Sequence, residues 1–429
     1  MNKSKPKKGY KVVNIAFDRY EEIPEEWEMR KIGSLISEVS KKNKDDHPFE
    51  VFSITNTKGF VKSSDFFHKK VFSENLKTYK IVSKNEIGYN PSRINVGSVA
   101  CFDSDQCGLV SPIYVLIKCK SELLPNYLLY FLKSSDGNKK IKNDIQASIR
   151  NSLSFKSLGR MNFLLPPKPQ QEKILSILIN LDNQIEKTNK IIKTIIFLKK
   201  GIMQKLFQKG ISHKEFKKTK WYFGKDIEIP KKWDVGKFGD KLKTVSGSTP
   251  SRTNPEFFTG NILWVTSGDL NKGRIYDTFE KITDDAVKSK NLKFYPVNTF
   301  VLAAYGVESP GVRGNCGLLG KESTINQACM AFIKSNKIDS TYLFYFYQHY
   351  AERILSIFPQ GSRQQNLYDY TVKDIKIIIP PYDEQKQITA ILLNIDKQIQ
   401  KEKIHKSDLE ILKKGLLQKL LAGKIRVKV

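Results

Sequence analysis

Residues 166–206 read PPKPQQEKILSILINLDNQIEKTNKIIKTIIFLKKGIMQKL, and residues 380–420 read PPYDEQKQITAILLNIDKQIQKEKIHKSDLEILKKGLLQKL. Aligned without gaps, the two stretches are identical at 18 of 41 positions. The second copy begins 214 residues after the first, which is half the length of the 429-residue chain. A match of this length and spacing indicates an internal duplication.

Each copy predicts one long helix. Two prolines end a β-like run, MNFLLPP in the first half and IKIIIPP in the second, and a helix is expected to begin there. Apolar residues then recur every three or four positions, as they do along the seam of a coiled coil. We assign the following residues to the seam or to partner binding on the two helices: Ile174, Leu181, Ile185, Leu198, Ile388, Ile395, Ile399 and Leu412.

A fainter repeat precedes each helix, because EIPEEWEMRKIGSL at 22–35 returns as EIPKKWDVGKFGDK at 228–241. Between this opening and the helix, each half carries about 130 residues with β-rich runs, glycine turns and a short aromatic helix. The sequence therefore predicts a mixed α/β fold with two globular parts and two long helices. Since the helices match closely and the globular parts match only at their ends, we expect two copies of one partner and two different targets.

The charge indicates a polyanionic partner. Lys and Arg number 73 against 44 Asp and Glu, so the net charge is +29. Nucleic acid is the first candidate, and a basic but non-binding protein from a lysine-rich proteome is the alternative. No segment has the ~18 apolar residues that a membrane span needs, and the N-terminal MNKSKPKKGY has no apolar core. The chain is expected to be cytoplasmic, with no membrane partner.

The cysteines and histidines predict no metal site. Five cysteines occur without a CxxC pair, and the five histidines are far apart in sequence. Cys101 and Cys107 could share a metal, but buried free thiols are the preferred interpretation in a reducing compartment.

The order of these motifs resembles the specificity (S) subunits of type I restriction-modification systems. The motifs are the tandem IPxxW…G openings, the LPP…Q…I…LxxxDxQI and LKKGxxQKLL helices, GYNPSRINVGS with GLVSPIY in the first globular part, and SGSTPSRTNPEFF with INQA in the second. Each motif alone is weak, whereas their order, duplication and half-length offset are specific. The resemblance covers nearly the whole chain.

The resemblance implies an architecture and a function. Residues 1–165 and 211–379 would be target-recognition domains that each read one half of a bipartite, asymmetric DNA site. Residues 166–210 and 380–429 would be antiparallel spacer helices related by a pseudo-twofold axis and forming a coiled coil. These helices would carry two modification (methyltransferase) subunits, and restriction subunits would join through them.

Polar loops in the second globular part are the first candidates for base contacts. Arg pairs with guanine and Gln or Asn with adenine in the major groove. The loops are SGSTPSRTN (246–254), AYGVESPGVRGN (304–315) and QGSRQQNL (360–367), and solvated loop residues are the alternative interpretation. The candidate DNA-binding residues here are Ser248, Arg252, Arg313, Arg363, Gln364 and Gln365.

The first globular part offers YNPSRINVGS (89–98) and QASIRNSLSF (146–155), in which Arg93, Asn95, Arg150 and Asn151 are the candidates. A turn that only positions a strand explains YNPSR equally well, because Asn-Pro is a common loop start. The lysine-rich SKKNKDD (40–46) is expected to meet phosphates or solvent rather than bases.

The sequence predicts no catalytic residues. An adenine methyltransferase needs a glycine-rich turn for its methyl donor and an Asn/Asp-Pro-Pro-aromatic site for the flipped base. YNPSR lacks the second proline and the aromatic residue, and the prolines of LLPPK and IIPPY follow Leu or Ile. S-adenosylmethionine is therefore expected on the partner subunit. An architectural double-stranded DNA-binding protein and a self-contained modification enzyme with an unrecognised site stay open as alternatives.

Overall fold

A computed structural model describes residues 6–16, 19–66, 72–148, 151–222, 225–270, 273–304, 314–357 and 367–428. The chain is a mixed α/β protein, as the sequence predicts.

The first half of the chain alternates short strands with short helices and ends in a 42-residue helix. Its strands are β1 (Tyr10–Ala16), β2 (Arg19–Pro24), β3 (Glu28–Lys31), β4 (Ile36–Val39), β5 (Val51–Thr55), β6 (Gly59–Lys62), β7 (Lys80–Val82), β8 (Ile87–Tyr89), β9 (Val99–Cys101), β10 (Gly108–Val110), β11 (Val115–Cys119) and β12 (Asn162–Leu165). Its helices are α1 (Ile32–Leu35), α2 (Ser63–Phe66), α3 (Pro125–Lys133), α4 (Ser135–Gln146), α5 (Phe155–Arg160) and α6 (Lys168–Lys209).

The second half follows the same plan and ends in a 40-residue helix. Its strands are β13 (Phe216–Lys220), β14 (Asp226–Pro230), β15 (Asp234–Lys237), β16 (Thr244–Ser246), β17 (Ile262–Val265), β18 (Arg274–Ile275), β19 (Lys281–Ile282), β20 (Phe300–Ala303), β21 (Cys316–Leu319), β22 (Thr324–Ile325), β23 (Cys329–Phe332) and β24 (Lys376–Ile379). Its helices are α7 (Phe238–Lys241), α8 (Asp284–Lys290), α9 (Ser340–Ile357), α10 (Asp369–Lys373) and α11 (Tyr382–Leu421).

The chain divides into two compact units, and each long helix contributes to both. The first unit comprises residues 1–189 and 404–429, and the second comprises residues 190–403. The first unit thus contains the N-terminal part of α6 and the C-terminal part of α11. The second contains the remaining part of each helix.

The first unit has two four-stranded sheets, in the orders β6-β5-β10-β7 and β4-β11-β8-β9. Strand β12, which ends in the two prolines, pairs antiparallel with β3, which follows the IPxxW opening. The core packs Trp27, α3 and β12 against Ile174 and Leu178 of α6 and against Leu420 of α11. Parts of both long helices are therefore integral to the core of this unit.

The second unit has a five-stranded sheet in the order β16-β23-β20-β21-β18 and a three-stranded sheet in the order β19-β17-β22. Strand β24 pairs antiparallel with β15, which repeats the β12–β3 pairing. The core packs the aromatic helix α9 and Trp233 against Phe207 of α6 and against Ile388 and Leu392 of α11. The same elements thus join the long helices in both units, whereas the sheets differ.

The two predicted long helices are confirmed. Each begins directly after its proline pair, and the carbonyl of the second proline accepts a hydrogen bond from the helix, Pro167 from the Gln171 amide at 3.1 Å and Pro381 from the Gln385 amide at 3.0 Å. Each is followed by a glycine in the left-handed region, Gly210 with φ 65° and Gly423 with φ 67°, a conformation that stops a helix. Among the described residues, no helix has the length and apolar character needed to cross a membrane.

The seam candidates differ in burial. Ile174, Ile388, Leu181 and Ile399 are buried, and Ile185 and Ile395 are half-buried. Leu198 and Leu412 are 54% and 48% exposed. These last two occupy equivalent places in the duplication, and their exposure leaves them available to another molecule.

Candidate recognition loops and helix clusters

The NPSRIN loop of the first unit is a tight turn between β8 and β9. The Arg93 amide donates to the Asn90 carbonyl at 3.0 Å, and the Arg93 carbonyl accepts from the Ser98 amide at 3.1 Å. This turn leaves the Arg93 side chain exposed. The carbonyl of half-buried Asn95 accepts a 3.2 Å hydrogen bond from the Asn138 side chain on α4. The turn therefore positions a strand and presents Arg93, so both interpretations of the motif are compatible with the geometry.

A second loop of the first unit lies beside this turn. The Leu153 amide donates to the Pro91 carbonyl at 2.9 Å. Asn151 is exposed and adopts the left-handed region with φ 47°, which asparagine tolerates better than most residues. The structure thus brings the loops that carry Arg93, Asn95 and Asn151 together, and Arg150 lies outside the described residues.

Ser248 is tied to the body of the second unit through its backbone. Its amide donates to the Ile325 carbonyl at 3.2 Å, and its carbonyl accepts from Trp264 Nε1 at 3.2 Å. The INQA motif therefore supports the SGSTPSRTN loop directly. Ser248 itself is half-buried.

Arg252 lies four residues further along and makes a stacked ion pair. Its two terminal nitrogens donate to Glu280 at 2.5 and 2.8 Å, and its guanidinium lies 4.2 Å from the Phe258 ring centre and 5.4 Å from that of Trp264. The hydrogen bonds from Arg252 lower the pKa of Glu280. The Arg252 side chain is still 55% exposed. A base contact by Arg252 would have to compete with Glu280, and its assignment to DNA stays a prediction.

The remaining candidates, Arg313, Arg363, Gln364 and Gln365, lie outside the described residues. The described residues that flank them meet at one strand end. The Gly314 amide donates to the Ala303 carbonyl at 3.2 Å, and the Leu367 amide donates to the Ala304 carbonyl at 2.8 Å.

A buried glutamine in each unit connects the start of a long helix to the globular part. Gln171 Nε2 donates to the Pro166 and Glu122 carbonyls, each at 2.9 Å, and its Oε1 accepts from the Leu124 amide at 2.9 Å. Neither the oxygen nor the nitrogen could be replaced by an apolar atom without leaving backbone groups unpaired.

Gln385 makes the same three contacts in the second unit. Its Nε2 donates to the Pro380 and Lys337 carbonyls and its Oε1 accepts from the Asp339 amide, all at 2.9 Å. The sequence shows that Gln171 and Gln385 match, but it gives no sign of which backbone groups they bind.

The tryptophans of the IPxxW openings also bind the helix starts, through different partners. Trp27 Nε1 donates to Gln170 Oε1 at 2.7 Å. Trp233 Nε1 donates to Glu384 Oε2 at 2.8 Å, and the other oxygen of Glu384 lies 2.7 Å from His213 Nε2. The first contact is between neutral groups and the second involves a carboxylate.

A further duplicated arrangement, the Tyr–Asp–Lys cluster, joins three helices in each unit. In the first unit, Asp182 on α6 accepts from Lys413 on α11 at 2.5 Å through Oδ1 and from the Tyr130 hydroxyl on α3 at 2.6 Å through Oδ2. Burial and this hydrogen bond raise the pKa of Tyr130.

The second unit repeats the cluster with the two long helices exchanged. Asp396 on α11 accepts from Lys199 on α6 at 2.5 Å and from the Tyr345 hydroxyl on α9 at 2.6 Å. Each lysine also lies over the tyrosine ring of its own cluster, at 4.9 Å for Tyr345 and 5.7 Å for Tyr130. The duplication thus extends from sequence identity to atomic contacts.

Cys101, Cys107, Cys119 and Cys329 form no disulfide. Burial raises the pKa of Cys101 to about 11 and that of Cys119 to about 12. Over the part of the chain that the structure describes, no group of three His, Cys, Asp or Glu side chains could hold a metal ion.

Comparison with known families identifies the class of protein. The family model described as type I restriction modification DNA specificity domain matches the chain twice, over residues 24–196 and 230–410. These matches span most of the chain, so the chain belongs to this family. It is a specificity subunit of a type I restriction-modification system, the subunit class that carries no catalytic activity.

Individual proteins agree with this assignment. The type I restriction enzyme MjaVIII specificity subunit of Methanocaldococcus jannaschii is 28% identical over 426 residues, covering 95% of this chain and 94% of that protein. A solved structure reported for complex assembly and conformational transition of the type I R-M system has a TM-score of 0.60 at 16% identity, covering 94% of this chain and 99% of that one.

A type I restriction-modification S subunit from M. genitalium has a TM-score of 0.54 at 14% identity, covering 94% of this chain and 97% of that one. At these identities the two solved structures support the fold alone.

Proposed function

We propose that the chain binds an asymmetric, bipartite site in duplex DNA and reads one half-site with each globular part. One observation carries the proposal. Gln171 and Gln385, which we call the helix anchors, bind the starts of the long helices to the globular parts by matching hydrogen bonds, whereas the sheets and loops of the two globular parts differ. A repeated scaffold with unlike domains suits a target whose two halves differ. The net charge of +29 supports a polyanionic target.

The long helices are proposed to form an antiparallel coiled coil with pseudo-twofold symmetry. Two observations support this arrangement. The N-terminal part of one helix packs with the C-terminal part of the other in both units, and the Tyr–Asp–Lys clusters repeat with the helices exchanged. Half-sites related by such an axis on one face of DNA would be centred about one helical turn, ~10 base pairs, apart.

The helices are also proposed to recruit two methyltransferase subunits, through which restriction subunits join. Among the exposed apolar side chains of the two helices, one adjacent pair lies at equivalent positions in both. In α6 the pair is Phe197 and Leu198, 75% and 54% exposed, and in α11 it is Ile411 and Leu412, 68% and 48% exposed. Two equivalent exposed apolar pairs would suit two copies of one partner. S-adenosylmethionine is assigned to that partner.

A domain exchange tests the proposal. The chain is combined with its modification subunits and S-adenosylmethionine, and residues 211–379 are replaced by the corresponding part of another family member. Methylation of genomic DNA, read by sequencing, should keep one half-site and change the other. The chain without modification subunits is the control and should transfer no methyl groups.

Two outcomes would contradict the proposal. A continuous or palindromic methylated motif would mean that the two globular parts do not read separate half-sites. An exchange that alters both half-sites at once would mean that reading is not divided between them. In either case the matching anchors would have to serve another purpose.

A further inference from the structure

The hydrogen bonds of the Tyr–Asp–Lys clusters depend on the register of the two long helices. Each carboxylate uses one oxygen for a lysine on the other long helix and the second oxygen for a tyrosine of the globular part. Sliding a helix by one residue moves a side chain about 1.5 Å along the axis and rotates it by about 100°. Such a slip would break the lysine–aspartate hydrogen bond, which crosses between the two long helices, and the tyrosine hydrogen bond holds the helix that carries the aspartate to the globular part. Each cluster therefore favours one register.

The clusters are also partly shielded from water. The side chains of Lys199 and Lys413 are 15% and 28% exposed, and those of Asp396 and Asp182 are 39% and 40% exposed. Ion pairs of this kind are screened less than those on an open surface, so they discriminate more strongly between a correct and an incorrect register. The many exposed lysines elsewhere on the helices lack this property.

The sequence spacing of the clusters makes them compatible with each other. Asp182 and Lys199 are 17 residues apart on α6, and Asp396 and Lys413 are 17 residues apart on α11. In an antiparallel pair, equal separations allow one register to satisfy both clusters. A slip that broke one cluster would therefore break the other.

We infer that these six residues are positioning residues, which fix the number of unread base pairs that the protein accepts between its half-sites. The inference rests on the proposed function, because spacing matters only if each globular part reads its own half-site. The clusters act through the helices and the aromatic helices α3 and α9, and contact with DNA is not required of them.

The test compares substrates that differ only in spacing. The full complex of the chain, its modification subunits and S-adenosylmethionine is given duplexes with the native spacer, one base pair more, or one fewer. The variant combines Asp182→Ala with Asp396→Ala, and the matched control combines Lys200→Ala with Lys414→Ala, an exposed pair at equivalent positions. The measured quantity is the ratio of methylation rates on native and altered spacers.

We expect the ratio measured for the aspartate variant to be at least about tenfold lower than that of the wild-type protein, because each cluster loses both hydrogen bonds of its carboxylate. The control should keep the wild-type ratio. Equal slowing on all three duplexes, or an unchanged ratio, would overturn the inference and leave the clusters with a packing role only. If the alanine variant does not assemble, Tyr130→Phe with Tyr345→Phe decides the same question, because it removes one hydrogen bond from each cluster and keeps the rings.

The wild-type protein separates the two proposals. If it methylates all three duplexes equally, or reads a continuous site, the proposed function fails. If it prefers the native spacer and the cluster variants keep that preference, only the inference about the clusters fails.

Discussion

The two units hold their long helices by matching contacts, and they differ almost everywhere else. Gln171 and Gln385 bind equivalent backbone groups, whereas the first unit builds two four-stranded sheets and the second a five-stranded and a three-stranded sheet. The contrast indicates that both units must hold their long helices in the same way. The loops that the sheets carry have been free to diverge.

The β-hairpins before the two IPxxW openings differ in charge on the first strand and agree on the second. Strand β1 carries one lysine and β13 carries three, whereas β2 and β14 each carry two acidic residues. Both hairpins end at the proline where a family match begins, at residue 24 or 230.

The largest expected effect tests whether the anchors are equivalent. Gln385→Leu should lower the free energy of unfolding of the second unit by about 3 kcal/mol or more, because it leaves three backbone groups without a partner in a fully buried site. Gln171→Leu should have a similar effect on the first unit. Hydrogen exchange during denaturant titration measures each unit separately.

The exposed pair Gln184→Ala and Gln398→Ala provides the control, since these matched helix positions lie in solvent. Their effect on either unit should be within about 0.5 kcal/mol. If one buried glutamine proves dispensable while the other is essential, the two anchors are equivalent only in geometry.

A smaller effect should separate the two tryptophans. Trp233→Phe removes a hydrogen bond to the carboxylate of Glu384, and Trp27→Phe removes one to the neutral amide of Gln170. Bonds to charged groups contribute about 1.5–3 kcal/mol and neutral ones about 0.5–1.5. We expect Trp233→Phe to cost its unit about 1 kcal/mol more, measured by the same exchange experiment. Equal costs would contradict the prediction and show that the charge of Glu384 adds nothing to this hydrogen bond.

The smallest effect concerns pH. Burial, with a contribution from Arg353, lowers the pKa of His349 on α9 to about 4, below the value of about 6.5 expected in an unfolded chain. Between these values the unfolded chain binds more protons, so the stability of the second unit should fall as the pH drops from about 6.5 to 4. Helix α3 of the first unit has no histidine.

Hydrogen exchange of α9 and α3 at several pH values measures this difference between the units. His349→Gln should flatten the pH dependence of α9 and leave that of α3 unchanged. A wild-type α9 as stable at pH 5 as at pH 7 would contradict the prediction.

The helices and their starts could be predicted from the sequence, because proline pairs and apolar periodicity are local signals. The aromatic run TYLFYFYQH likewise predicts a helix, which the structure extends to the 18 residues of α9. The repeat also predicts two similar halves, and the matching β12–β3 and β15–β24 pairings agree with it.

The clusters could not be predicted, because their members are far apart in sequence. Lys199 and Asp396 are separated by 197 residues, and only the pairing of two helices brings them together. Arg252 shows a different limit. Its residue type and loop predict a base contact, but Glu280, which binds its guanidinium, lies 28 residues away in sequence. The sequence gives no sign that Glu280 would compete with a DNA base for this guanidinium.

The division of each long helix between units has a consequence for synthesis of the chain. Residues 190–403 form the second unit without interruption, so it can fold as soon as it leaves the ribosome. The core of the first unit includes Leu420 and Leu421, and these residues are made after the whole of the second unit. Nascent chains normally fold from the N-terminus onward. Here the core of the first unit stays incomplete while residues 190–403 are made, so the apolar side chains that Leu420 and Leu421 cover are exposed during that interval.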